Sequence, residues 1–120
     1  TLDVLDAEGV FQGGAILPGY ELMRRSLARD TAQLPLAEGH YATPPRNTMD
    51  AIVSGCLQAQ AGAIERMHRQ LPPGSPCVLT GGAAPLLADL PGLADLPLRR
   101  IDNLVLEGLL RFAADSADEA

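Results

Sequence analysis

Two glycine-bracketed turns hold most of this sequence's capacity for chemistry. Gly13-Gly14-Ala15-Ile16-Leu17-Pro18-Gly19 sets paired glycines at the end of a strand pattern, and Pro18-Gly19 bends the chain into a helix. Without Cβ atoms the backbone can approach a ligand closely. The helix N-terminus that follows offers free N–H groups to an anion or a polar head. A tight turn with no ligand uses the same residues. Thr80-Gly81-Gly82-Ala83 joins an apolar strand to a helix. Bare backbone there suits a flat base or ribose at the carboxyl end of a strand, where open sheets bind ligands. An ordinary βα turn has the same composition, and the full Gly-x-Gly-x-x-Gly spacing of dinucleotide-binding turns is missing. Asn47-Thr48 opens the longest helical pattern, so Thr48 either caps that helix or presents its hydroxyl to a ligand. Asp3, alternating against Leu2 and Val4, offers a carboxylate to a magnesium-bound phosphate or simply to water.

Other chemistries find little here. His40 and His68 stand alone, without Cys, Asp or Glu at ligand or triad spacing, so neither a metal site nor a catalytic role is assigned to them. Cys56 and Cys77 sit in apolar contexts without Cys-x-x-Cys spacing, and read as buried small hydrophobes of a cytosolic protein. All nine basic residues are Arg. A P-loop is therefore excluded, because its chemistry needs a Lys on the phosphates. The net charge of −6 disfavours a phosphate backbone as partner, so no nucleic acid is expected. No apolar run approaches the roughly 20 residues of a membrane span. No general base is evident, and as an enzyme the sequence is incomplete.

The elements that must position these residues follow from periodicity. Residues 1–6 and 10–13 read as a β-hairpin around Ala7-Glu8-Gly9, with 13–19 as a loop. Tyr20 to Ala28 reads as a helix, with Leu22, Met23 and Leu27 on one side and Arg24, Arg25 and Arg29 on the other. Asp30 to Arg46 has no clear period. A long helix runs from Asn47 or Thr48 to about Leu71, where Pro72-Pro73-Gly74 stops it. Its stripe of small residues (Gly55, Ala59, Gly62) suits close approach by a second copy or by the domain's own sheet, since each Gly costs a helix roughly 1 kcal/mol. Cys77-Val78-Leu79 is a strand, 84–90 a helix, Leu98 to Ile101 a strand, and a last helix starts after Asp102 or Asn103. The order ββ–α–α–β–α–β–α predicts an α/β fold, a mixed sheet with covering helices.

The 120 residues suit one domain, with a core of Leu, Ala, Val and Ile because aromatics are only 3%. Residues 1–114 are assigned to that domain and 115–120 to a flexible acidic tail. The opening strand pattern, without initiator Met or lead-in, is that of a chain starting inside a sheet.

Several segments together resemble the type III pantothenate kinases. They are Thr1-Leu2-Asp3, Gly13 to Gly19, Ser26-Leu27 with Thr31-Ala32-Gln33-Leu34-Pro35, Asn47-Thr48, Ser54-Gly55, Thr80-Gly81-Gly82-Ala83, and Asp102-Asn103-Leu104-Val105-Leu106-Glu107-Gly108-Leu109. The match is ordered and covers nearly the whole chain. The resemblance implies an RNase H-like domain of the actin, Hsp70 and sugar-kinase superfamily, here the C-terminal half of a two-domain cytoplasmic enzyme. That enzyme would phosphorylate pantothenate with ATP and Mg2+, aided by a monovalent cation (K+ or NH4+), in coenzyme A synthesis.

The same resemblance places Gly13, Gly14, Pro18, Gly19 and Thr48 on pantothenate, with Thr48 acting across a homodimer interface. It places Thr1, Asp3, Gly81 and Gly82 on the nucleotide. The family's phosphate motif (Asp-x-Gly-Asn-Thr), its catalytic Gly-x-Asp-Arg segment and its cation-binding Asp would belong to a missing N-terminal domain, leaving the 120-residue chain inactive alone. Two other readings stay open: a non-catalytic dimerising accessory factor in transcriptional regulation, and a kinase for a related small alcohol.

Overall fold

A computed structural model describes residues 1–30 and 38–118, so Thr31 to Pro35 of the resemblance lie outside the described residues. The elements are β1 (Leu2–Leu5), β2 (Phe11–Ala15), α1 (Tyr20–Asp30), α2 (Thr48–His68), β3 (Cys77–Leu79), α3 (Ala84–Ala88), β4 (Leu98–Arg100) and α4 (Leu104–Asp118). This α/β order is the one periodicity predicts, but among the described residues the strands form two separate two-stranded sheets, β1-β2 and β3-β4, in place of the single mixed sheet expected, because each strand finds its hydrogen-bond partner within its own unit. The chain divides into two compact units, 1–73 and 74–120. Among the described residues no helix is long and apolar enough to cross a membrane.

In the first unit β1 and β2 pair antiparallel, with Asp3 opposite Gly14 and Val4 opposite Gly13. The register shifts between Val4 and Leu5, an irregularity that bends a strand and re-aims its side chains. Asp6 organises the turn. Its carboxylate accepts hydrogen bonds from the backbone N–H of Glu8 and Val10 and from the Gln12 side chain, at 2.8–3.0 Å. β2 continues through Gly14 and Ala15, which the glycine content had suggested were loop. Gly can extend a strand here because its partner residues approach too closely for any side chain, as described below.

Helix α2 is the scaffold of this unit. Asn47 is its cap, accepting from the Asp50 N–H at 2.9 Å. Ile52, Val53, Cys56, Leu57, Ala61 and Ile64 are buried along one face. Full burial of each large aliphatic side chain contributes roughly 1.5–3 kcal/mol, enough to offset the two helical glycines. Burial also pushes the Cys56 thiol up, against a smaller opposing effect of Arg24. Helix α1 packs against α2, and of the expected apolar face Met23 is half-buried and touches Gln60. Tyr20 is buried, whereas Leu22 and Leu27 are exposed. Arg24 lies 19% exposed, its guanidinium 5.6 Å from the Tyr20 ring centre and 2.9 Å from Glu21. A cation over an aromatic face with a carboxylate beside it is favourable even half-buried, and it displaces leucine from that position.

In the second unit β3 and β4 run parallel, pairing Cys77 with Leu98 and Leu79 with Arg100. Ala84, Leu87, Leu90 and Leu93 are its buried side chains, Leu93 completely so. Both cysteines are free. Helix α4 runs to Asp118, into the stretch that charge alone assigned to a tail, and none of its residues is buried.

Candidate functional site

The hairpin brings Thr1, Asp3, Gly13 and Gly14 to one place. Gly13 has φ +126°, a backbone region that favours glycine. Gly14 is needed for a different reason. A Cβ there would collide with the Leu2 carbonyl oxygen and lie 2.8 Å from Asp3 Oδ1. The missing side chain is therefore filled by the opposite strand, and the Asp3 carboxylate rests against the glycine backbone. The Thr1 hydroxyl donates to Asp3 Oδ2 at 3.2 Å. One exposed carboxylate held this way can meet a hydrated cation or a hydroxyl. Among the described residues no group of three His, Cys, Asp or Glu side chains is assembled to hold a metal on its own.

Pro18 and Gly19 lead into α1, where the Gly19 carbonyl accepts from the Met23 N–H at 2.9 Å. The Pro18 carbonyl accepts from the Gln60 side chain on α2. The same amide nitrogen lies 3.4 Å from the Met23 sulfur. Gln60 thus ties the Pro18 turn to α2, a role that no local pattern announces because its partner is 42 positions away.

Thr48 is the first residue of α2 and is exposed, with capping done by Asn47. The capping role that the sequence offered to either residue belongs to Asn47. Thr48 and Gln60 stand about 18 Å apart along the helix, at about 1.5 Å of rise per residue. One protomer therefore does not bring Thr48 to the Pro18 turn.

The start of α2 is clamped by the loop before it. Asp50 accepts from the His40 backbone N–H at 2.8 Å and from the Asn47 side chain at 2.9 Å. The His40 N–H first, and then the Asn47 amide, hold the Asp50 pKa below its ordinary value. Buried Ser54 accepts from the Ala42 N–H at 2.9 Å. Gly39 lies so close to the Met49 backbone that any Cβ would strike it. Gly55 and Gly62, by contrast, face open space. With Thr48, Ala51 and Ala59 they form an exposed stripe of small residues along α2.

The second unit builds a cavity of about 480 Å³, lined by Thr80, Gly81, Gly82 and by Asp102 to Leu106. It opens beyond the carboxyl ends of β3 and β4, two adjacent parallel strands. Gly81 has φ +107° and its carbonyl accepts from the Ala84 N–H, which turns the chain from β3 into α3. Asn103, at φ 57°, does the same between β4 and α4, its carbonyl accepting from the Glu107 N–H. Asp102 and Asn103 read in sequence as helix caps, and their place in a cavity wall depends on β4 pairing with β3. The volume falls in the range of about 300–1,000 Å³ usual for small-molecule sites. An apolar wall from Leu104 to Leu106 faces bare backbone at Gly81-Gly82, an arrangement suited to a flat, partly polar ligand.

Comparison with known proteins identifies the family. A family model described as Type III pantothenate kinase matches residues 1–70. The chain is 61% identical over 119 residues to a type III pantothenate kinase of Aromatoleum aromaticum, an alignment covering 98% of this chain and 48% of that protein. It is 58% identical over 121 residues to that of an Azoarcus species, covering 98% and 45%. It is 52% identical over 119 residues to that of Dechloromonas aromatica, covering 97% and 48%. The chain thus spans about half the length of the curated relatives it matches. With more than half its residues matched by the family model and nearly all of them aligned to named members, the chain belongs to the type III pantothenate kinase family.

Proposed function

We propose that the whole protein transfers the γ-phosphoryl group of ATP to the hydroxyl of pantothenate, giving 4′-phosphopantothenate for coenzyme A synthesis in the cytoplasm. In this step the bond from the γ-phosphorus to the β–γ bridging oxygen breaks. A bond from the pantothenate hydroxyl oxygen to phosphorus forms, and a carboxylate takes the hydroxyl proton. Neither Asp-x-Gly-Asn-Thr nor Gly-x-Asp-Arg occurs in the 120 residues. That carboxylate and the phosphate motif are assigned to the remaining half of the polypeptide, so this chain alone is inactive.

The observation that supports the reading is the cavity beyond β3 and β4, lined by Gly81 and Gly82, which are assigned as the platform for adenosine. Thr1 and Asp3 are assigned to the phosphate side of the nucleotide, where Mg2+ travels with ATP and needs only one or two protein carboxylates. The monovalent cation, K+ or NH4+, is assigned to the other half. Gly13, Gly14, Pro18 and Gly19 are assigned to pantothenate. On this reading residues 1–114 form an RNase H-like domain.

Thr48 reaches pantothenate in a homodimer. Gly55 lies midway between Thr48 and Gly62 on the exposed small-residue stripe. Antiparallel packing of two α2 helices about a two-fold axis near Gly55 would set Thr48 of one protomer beside Gly62 of its partner. Gln60, which holds the Pro18 turn, lies two residues from Gly62 on another flank of α2, and Thr48 is assigned to the pantothenate site of the partner protomer.

The test is pantothenate-dependent ADP release by the full-length protein, beside Thr48→Ala. Activity lost on that substitution supports the kinase and the site together. No turnover with K+ or NH4+ present overturns it in favour of an accessory factor. Turnover of another small alcohol alone reassigns the substrate.

A further inference from the structure

Asp102 places a carboxylate in the wall of the cavity beyond β3 and β4, which Gly81, Gly82 and Leu104 to Leu106 also line. Its side chain is 77% exposed, which sets the carboxylate at the mouth of the cavity and not in its depth. The backbone is fixed on both sides of it. The Ile101 N–H donates to the Leu79 carbonyl at 3.0 Å, and the Asn103 carbonyl accepts from the Glu107 N–H. Arg100 Nε stands 3.7 Å from Asp102 Oδ1. An exposed pair at that distance contributes little stability, but it biases the carboxylate's position and leaves most of its lone pairs open.

A carboxylate in a nucleotide site restricts what can face it. Ionised, it accepts hydrogen bonds, donates none, and repels phosphate. The triphosphate must therefore point away from Asp102. The base is flat and apolar on both faces, which suits the bare backbone of Gly81-Gly82 and the apolar wall from Leu104 to Leu106. The ribose remains. Its two adjacent hydroxyls are donors, and a carboxylate offers two adjacent oxygens to receive them. Dinucleotide-binding folds set an acidic side chain on the ribose for the same reason.

We infer that Asp102 recognises the ribose of the nucleotide, its carboxylate accepting hydrogen bonds from the 2′- and 3′-hydroxyls, and so selects ribonucleotides over deoxyribonucleotides. The inference rests on the reading of this cavity as the adenosine site.

The test measures dissociation constants of ATP and 2′,3′-dideoxyATP, each with Mg2+, on the full-length protein by ligand-observed NMR. The parent is expected to bind ATP about tenfold more tightly, the usual worth of a hydrogen bond to a charged group. In Asp102→Ala that preference disappears, because ATP weakens and the dideoxy nucleotide does not. The ratio does not depend on how much of a variant is folded, since both nucleotides meet the same sites. Equal binding by the parent overturns the inference, and so does a preference that persists in Asp102→Ala. Equal weakening of both nucleotides overturns it too, and moves Asp102 to the 6-amino group of the base. These three outcomes leave the adenosine reading standing. Gly82→Leu tests that reading separately. A Cβ at Gly82 meets nothing within 4 Å, so the backbone accepts the larger side chain, which takes up ligand space. Loss of ATP binding there supports both readings. ATP binding that survives Gly82→Leu, or is absent in the parent, overturns both.

Discussion

The side-chain amide of Gln60 donates to the carbonyl oxygen of Pro18, fastening a turn at one end of α1 to the middle of α2. Its nitrogen also touches the Met23 sulfur, so one side chain holds both the entry and the first turn of α1.

Replacing Gln60 removes that fastening without cutting into the buried face of α2. For Gln60→Ala the expected loss is about 1 kcal/mol, the usual net worth of one hydrogen bond. If the Pro18 turn walls the pantothenate site, KM for pantothenate rises several-fold while KM for ATP is unchanged. Urea denaturation and steady-state kinetics of the full-length protein check the two statements separately.

Gly14→Ala should be far more damaging than its chemistry suggests. The added methyl would meet the Leu2 carbonyl, which is backbone and cannot swing away. A cost of about 2–3 kcal/mol is expected from forcing the strands apart. Gly13→Ala also strains the backbone, because of its positive φ, although the space beside it is open. Comparing the two urea midpoints separates crowding from conformational strain.

At Gly55 the same substitution has the opposite sign. Open space surrounds it in the helix interior, so Gly55→Ala gains up to about 1 kcal/mol of helix propensity within a protomer. Gly55→Leu gains propensity too, but it would hold two α2 helices apart. If two α2 helices form the homodimer seam proposed above, sedimentation of the full-length protein shows Gly55→Leu shifted toward monomer. An unchanged dimer would place the interface elsewhere.

Asp50 makes the first turn of α2 sensitive to acid. Its pKa is lowered in the folded state by the His40 N–H and the Asn47 amide. A depressed carboxylate stabilises the fold at pH above its unfolded value, and that contribution is lost as pH falls through the folded one. Thermal unfolding of Asp50→Asn should therefore lie below the parent at neutral pH and converge with it in acid. A constant gap across that range would mean that the charge of Asp50 contributes nothing.

Local signals were legible in the residues. Alternation marked β1, helical spacing with a Pro-Pro-Gly stop marked α2, and the glycine turn after β3 marked the way into α3. Each depends on neighbours a few positions apart, which act before any tertiary contact forms. The ends of elements were less legible, since caps compete at short range. Asn47, not Thr48, closes the start of α2, and β2 runs on through Gly14.

What the residues alone determined, then, was the order and type of the elements and the two glycine turns that suit a ligand. Only the tertiary structure decided that Asp102 to Leu106 wall the cavity opposite Gly81-Gly82, because β4 must first pair with β3. Only it showed that Arg24 turns inward onto Tyr20 and that Gln60 holds Pro18. The same holds for Thr48, which α2 sets apart from the Pro18 turn of its own protomer, and for the large apolar residues of α4, which are exposed. Apart from the Arg24–Tyr20 pair, which lies within one helix, these facts depend on residues far apart in the chain. Periodicity records which face of an element is apolar, whereas packing alone decides what that face meets.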